Sequence, residues 1–126
     1  MVVVKKATEL KTFTATDGST IAEVINPSND PTTEGVSLAR AVLPPGASSK
    51  PHYLDIVEIH YVLKGRGVLH AGDWDVKLEP EVCVYIPPGT VQWTTNTGEE
   101  PLVFLCVCHP GWKARYDHPA PKGKRD

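Results

Sequence analysis

Between Gly46 and Gly67 the chain reads GASSKPHYLDIVEIHYVLKGRG, and residues 57–63 within it form a β-branched and aromatic run that Gly65-Arg66-Gly67 cuts off. This run reads as a short strand. In a strand alternate residues share a face, so Glu58, His60 and Val62 project to one side and Ile59, Tyr61 and Leu63 to the other. A carboxylate and an imidazole two residues apart on one face, with His52 just upstream, predict convergence on one ion or small ligand. The prediction rests on alternation, and a one-residue bulge between Glu58 and Val62 reverses it.

The chain around this stretch repeats the same grammar. Residues 37–43, 68–71, 74–78, 82–86, 91–95 and 102–108 read as further strands, with residues 102–108 the most apolar run, while residues 20–25, where Ile21, Val24 and Ile25 have helical spacing, are ambiguous between helix and strand. Residues 2–4 and 10–13 read as shorter pieces at the start. Asp17-Gly18, Pro44-Pro45-Gly46, Gly72-Asp73, Pro87-Pro88-Gly89 and Asn96-Thr97-Gly98 supply the turns. Twelve prolines and ten glycines in 126 residues, with 40% hydrophobic residues, suit one β-rich domain large enough for a core without staples. The expected fold class is all-β, an antiparallel sandwich or barrel with little or no helix.

The spacing of the opening stretch resembles the first motif of the cupin superfamily, G-x5-H-x-H-x3/4-E-x6-G. Gly46, His52, Glu58 and Gly65 fall on the pattern, and Leu54 stands where the second histidine belongs. The second motif, G-x5-P-x-G-x2-H-x3-N, matches at Pro87, Gly89 and Asn96, with Glu81 in place of its first glycine and Gln92 in place of its histidine. The resemblance spans residues 37–112. It implies a double-stranded β-helix (the small jelly-roll barrel), with residues 1–36 as N-terminal strands and 113–126 as a tail. A narrower likeness, IPPGTVQWTTNTGEEPLVFLCVCHPGW, is to small single-domain cupins that carry Gln-Trp after Pro-Pro-Gly and often a tyrosine at the position of His60.

The resemblance and the residues together nominate His52, Glu58, His60 and Gln92 as metal ligands. His52 is otherwise a polar residue on a barrel rim. Glu58 begins an apolar strand, and a buried carboxylate needs a cation or hydrogen-bond donors to offset its desolvation. The alternative for Glu58 is an exposed strand-end charge. His60 completes a two-histidine, one-carboxylate set, acts as a catalytic base, or is hydrogen-bonded core. Gln92 caps a metal or orients a substrate through its amide. Tyr85 is a candidate ligand or proton donor, though its strand parity relative to Gln92 is unreadable across Pro87-Pro88, and simple packing competes. Cys106 and Cys108 precede His109, but in so apolar a strand they read as small buried thiols. Trp74, Trp93 and Trp112 read as core or interface, and His70 and His118 receive no role.

A net charge of −2 favours neither nucleic acid nor membranes as partners. The start, Met1 to Val4 followed by Lys5-Lys6, fits neither a signal peptide nor a spanning helix. Three cysteines without an export signal point to reduced thiols and a cytoplasmic protein. The expected function is a small metal-binding cupin, holding one divalent ion (iron, manganese, nickel or zinc) and acting on a small polar organic molecule as an isomerase, lyase or dioxygenase. The contrasting expectation is a non-catalytic cupin that binds a small ligand without metal. A homodimer is expected, because an apolar strand at residues 2–4 otherwise leaves an exposed edge.

Overall fold

The computed structural model describes residues 2–15, 17–30, 33 and 35–121. Its strands are β1 (Thr12–Thr14), β2 (Thr20–Ile25), β3 (Ser37–Leu43), β4 (His52–Leu54), β5 (Val57–Lys64), β6 (Gly67–Ala71), β7 (Trp74–Leu78), β8 (Cys83–Ile86), β9 (Gln92–Asn96), β10 (Leu102–His109) and β11 (Asp117–Pro119). Two single-turn 3-10 helices, Ala7–Glu9 and Ala114–Tyr116, are the only helical pieces among the described residues. None of the described helices is long and apolar enough to cross a membrane.

The strands form a six-stranded sheet, in the order β1-β2-β3-β10-β5-β8, facing a five-stranded sheet, in the order β11-β4-β9-β6-β7. All pairings are antiparallel, giving the jelly-roll sandwich of a double-stranded β-helix. One end of the interior is filled by Leu43, Val62, Leu69, Leu78, Ile86 and Leu102, all fully buried. Burying an aliphatic side chain of this size stabilises the fold by about 1.5–3 kcal/mol, so this end carries much of the stability.

The glycines of the first motif have backbone duties. Gly46 and Gly65 sit at φ +77° and +90°, and a Cβ on Gly65 would lie 2.6 Å from the Pro101 carbonyl oxygen. Glu81, which replaces a motif glycine, also has positive φ, at 74°. Glu81 thus holds a left-handed conformation that favours glycine. Asn96 keeps a structural duty: its Nδ2 donates to the carbonyls of Leu43 and Glu100, and its Oδ1 accepts from the Gly98 amide.

Residues 2–4 form no strand, and Val2 and Val4 are 86% and 84% exposed. A three-residue apolar segment gains a strand only if a neighbour offers it a ladder, and here β1 is the edge instead. The strands β4 and β11, absent from the sequence expectation, pair with each other and extend the edge of the five-stranded sheet.

Candidate metal centre and ligand cavity

The β5 alternation holds where it matters. Glu58, His60 and Val62 are buried, Ile59 is half-buried and Tyr61 exposed. The one irregularity between β5 and β10 falls between Val103 and Phe104, beyond Val62. Register then assembles a polar floor: Glu58 lies opposite Cys108 of β10 and His60 opposite Cys106. From the other sheet comes Gln92, 1% exposed.

Glu58 is the hub. Gln92 Nε2 donates to Glu58 Oε1 at 2.8 Å, His60 Nε2 lies 3.2 Å from the same oxygen, and the Cys108 thiol faces Oε2 at 3.8 Å. Burial alone pushes the Glu58 carboxyl up. The opposing attraction and hydrogen bond of His60, the charge of His52 and the Gln92 amide outweigh it and hold the group low, at about 2. Burial first, then the Glu58 charge, pushes the Cys106 and Cys108 thiols up, so both stay protonated in this setting. The His60 ring leans on Phe104 at 5.0 Å, and its Nδ1 has no hydrogen-bond partner.

One ligand atom each from Glu58, His60 and Cys106 lies within 4.8 Å of the others. Carboxylate, imidazole and thiol are a donor set for a borderline divalent ion such as zinc or iron, and the partnerless His60 nitrogen fits a site still short of one contact. The residues present therefore fit a metal. Cys106 is the member that sequence reading assigned to packing. Its signal was the C-x-C spacing on a strand, but only the register with His60 shows which neighbours its sulfur meets.

His52 stands apart from this triad. It is half-buried on β4, opposite Gln92, and lines the same cavity. Its Nδ1 lies 3.1 Å from the Lys50 carbonyl, which can only accept, so Nδ1 carries a proton and Nε2 is left as the available nitrogen. Tyr85 is excluded by parity. Its neighbours Val84 and Ile86 pair inward with His60 and Glu58, so Tyr85 points outward, 60% exposed and away from the cavity. The expectation of Tyr85 as a catalytic group is corrected accordingly.

Above the floor lies a cavity of about 260 Å³. It runs from Glu58, His60 and Gln92 to a mouth framed by the β1–β2 hairpin on one side and the segment after Trp112 on the other. Trp112 lines this cavity, whereas Trp93 is buried and stacks on His70 and Trp74 is exposed, so the tryptophans do not share one role. Trp112 is pinned by the Asn26 amide on its carbonyl and by the Ser37 hydroxyl on its amide, and its indole donates to Asp117 at 3.3 Å. Behind it, β11 is fastened to β4 by His118, which stacks on Tyr53 and reaches Asp55 at 2.7 Å. The segment of residues 114–119 thus forms a cavity wall, and His118 holds it.

Residues 39–108 match the family model described as the cupin domain. The chain belongs to the cupin family. An uncharacterized protein of Methanocaldococcus jannaschii, MJ1618, is 33% identical over 105 residues, covering 81% of this chain and 82% of its own. A glucose-6-phosphate isomerase of Thermococcus onnurineus is 36% identical over 86 residues, covering 57% of this chain. The cupin chain spans only 46% of that isomerase. Among solved structures, a predicted oxalate decarboxylase of Thermotoga maritima superposes with a TM-score of 0.73 at 26% identity, over 86% of this chain and 99% of that one.

Proposed function

We propose that this cupin binds one divalent metal ion at the cavity floor, through Glu58 and His60 with Cys106, and that Gln92 and His52 complete or cap the set. A small organic molecule entering the cavity is the substrate. The carrying observation is the convergence of three donor types at one buried point, with the His60 Nδ1 partnerless. When bound, the metal supplies polarisation of a carbonyl or enol oxygen, or activation of oxygen. The chain's own residues do the rest. Gln92 fixes the Glu58 carboxylate in orientation, Phe104 holds the His60 ring, and the β11 wall keeps water from the floor. Isomerase, lyase and dioxygenase chemistry are all compatible with such a site, and the isomerase and decarboxylase relatives support two of these classes.

The test is the metal content of untagged protein purified without added metal. About one equivalent is expected, falling strongly in Glu58→Gln and Cys106→Ala. His52→Ala is expected to lower it while leaving the fold intact, since a rim imidazole adds little to the core. His60→Tyr, the side chain frequent in the resembling subgroup, is expected to weaken affinity by about 10–100-fold, the usual effect of disturbing a metal site's supporting groups. Full occupancy in all four variants would sink the site.

A non-catalytic, metal-free reading is favoured by one observation: Glu58 already has His60, Gln92 and Cys108 as partners, so its buried charge is compensated without an ion. Content that stays sub-stoichiometric after soaking with iron, manganese, nickel and zinc selects that reading. Assembly as a homodimer belongs to the same proposal, now supported by the outward Tyr61, Leu63 and Tyr85 rather than by residues 2–4. Light scattering of a monomer at micromolar concentration would count against it.

A further inference from the structure

The cavity mouth has a charge pattern that the metal centre does not use. Across the six-stranded sheet, register aligns Glu23 of β2 with Ala39, Cys106 and His60, so Glu23 shares their inward face. Its half-buried carboxylate meets no donor or cation among the described residues, and burial pushes it up from the ordinary carboxylate value. Asp117 of β11 faces the cavity from the other sheet, half-buried on the same strand face as Pro119, which pairs with His52. Asp17 also lines the cavity, turned by the Ser19 amide and hydroxyl that donate to its Oδ1.

Against these three carboxylates the lining offers Lys50, which is exposed, and His52. Between them lie Phe13, Ile21, Phe104 and Trp112, an apolar and aromatic wall. At the floor the cavity ends on the partnerless Nδ1 of His60, whose side chain is 6% exposed. Half-buried carboxylates whose partners are neutral (Ser19 on Asp17, Trp112 on Asp117) or absent (Glu23) call for a cation, and aromatic faces beside them attract one further.

We propose that the cavity selects a small organic cation, an ammonium group carried on an apolar body, with the charge placed among Asp17, Glu23 and Asp117 and the body against Phe13 and Trp112. This rests on the reading of the cavity as the substrate site and names its substrate class. The volume of about 260 Å³ sits just below the roughly 300–1,000 Å³ of sites for drug-sized ligands, which suits a molecule of one ring or a short chain. The same carboxylates repel a phosphate ester, so the sugar phosphate of the isomerase relative is the disfavoured class here.

The test uses three probes of one shape, benzylamine, benzyl alcohol and benzoate, together with glucose 6-phosphate, titrated by calorimetry at neutral pH into metal-loaded and metal-stripped protein. Benzylammonium is expected to bind at least about tenfold more tightly than benzyl alcohol, as charge-assisted contacts to desolvated carboxylates do, and benzoate more weakly still. Glu23→Gln and Asp117→Asn are each expected to cut the preference for the cation about fivefold, and the double variant to erase it. Both sit at the mouth, so unchanged metal content accompanies the loss, and the melting temperature does not fall. Benzoate or glucose 6-phosphate binding as tightly as benzylammonium overturns the proposal, as does a preference surviving in the double variant or no binding of any probe. Metal content, measured on the same samples, decides the metal reading separately: a metal-free protein that still prefers the cation removes the former and keeps the latter.

Discussion

Along β5 the inward side chains change character over a few residues, from Glu58 and His60 at one end to Val62 at the other. The neighbouring strands change at the same level. In β10 Cys108 and Cys106 give way to Phe104 and Leu102, and in β3 Ser37 and Ala39 give way to Ala41 and Leu43. One half of the barrel is therefore filled with leucine, isoleucine and valine. The other is lined by small residues that leave a cavity and by polar groups that converge in it. Stability and chemistry are divided by depth along the same strands. The filled half can hold the fold while the open half keeps a buried carboxylate that depends on its partners and a nitrogen that has none.

The largest effect that tests this division is in the filled half. Leu102→Ala is expected to cost about 2–5 kcal/mol in urea denaturation, because a fully enclosed site collapses poorly around a lost isobutyl group. His52→Ala, at the open rim, is expected to stay within roughly 0.5 kcal/mol of the parent. Comparable losses in the two would break the division.

Acid titration gives the next effect. The Glu58 carboxyl ionises at lower pH in the folded chain than in the unfolded one, so its contribution is full above the ordinary carboxylate value and is lost as pH falls toward about 2. The raised group of Glu23 has the opposite sign: its contribution is present at low pH and lost as pH rises through its folded-state value. Glu58→Gln is expected to flatten the acid limb of stability by on the order of 1–3 kcal/mol. Glu23→Gln is expected to leave that limb in place and raise stability slightly at neutral pH. An unchanged acid limb in Glu58→Gln would mean that the floor is not held by charge.

The smallest effects lie in the turns that join the halves. Gly65→Ala combines positive φ with a Cβ pressed on the Pro101 carbonyl, and is expected to cost at least about 1–2 kcal/mol. Glu81→Gly removes a side chain from the same backbone region, at φ 74°. It is expected to change stability by less than about 1 kcal/mol, toward stabilisation, because relieved strain is offset by a more flexible unfolded chain. Thermal melts of the pair suffice, and a loss in Glu81→Gly would show that its side chain has a contact worth more than the strain.

Much of the fold was legible in the sequence, because Gly and Pro turns fix where short strands stop. The expected strands at 37–43 and 74–78 coincide with β3 and β7. What escaped were three-residue strands. β4 and β11 have too little pattern to be read, and they exist because β4 joins the ladder of β9 and β11 joins that of β4. Residues 2–4 show the converse, a better apolar pattern with no ladder to join. In the site, Glu58 and His60 were legible as inward-facing because period-two alternation is local. Cys106 was not assigned to the donor set, Trp112 was not read as a cavity wall and Tyr85 was read as a candidate, because each depends on which strand lies alongside.

The sequence by itself determined the β architecture, the turn positions with their glycines, and the inward face of β5, since these follow from backbone sterics and from a repeat of two residues. Only the tertiary structure decided that Cys106 meets Glu58 and His60, that Gln92 crosses from the facing sheet to bond Glu58, and that Glu23 and Asp117 line one cavity from different sheets. Those are contacts between residues distant in the chain. Their register is set by the pairing of strands and the closure of two sheets, and no local pattern encodes it.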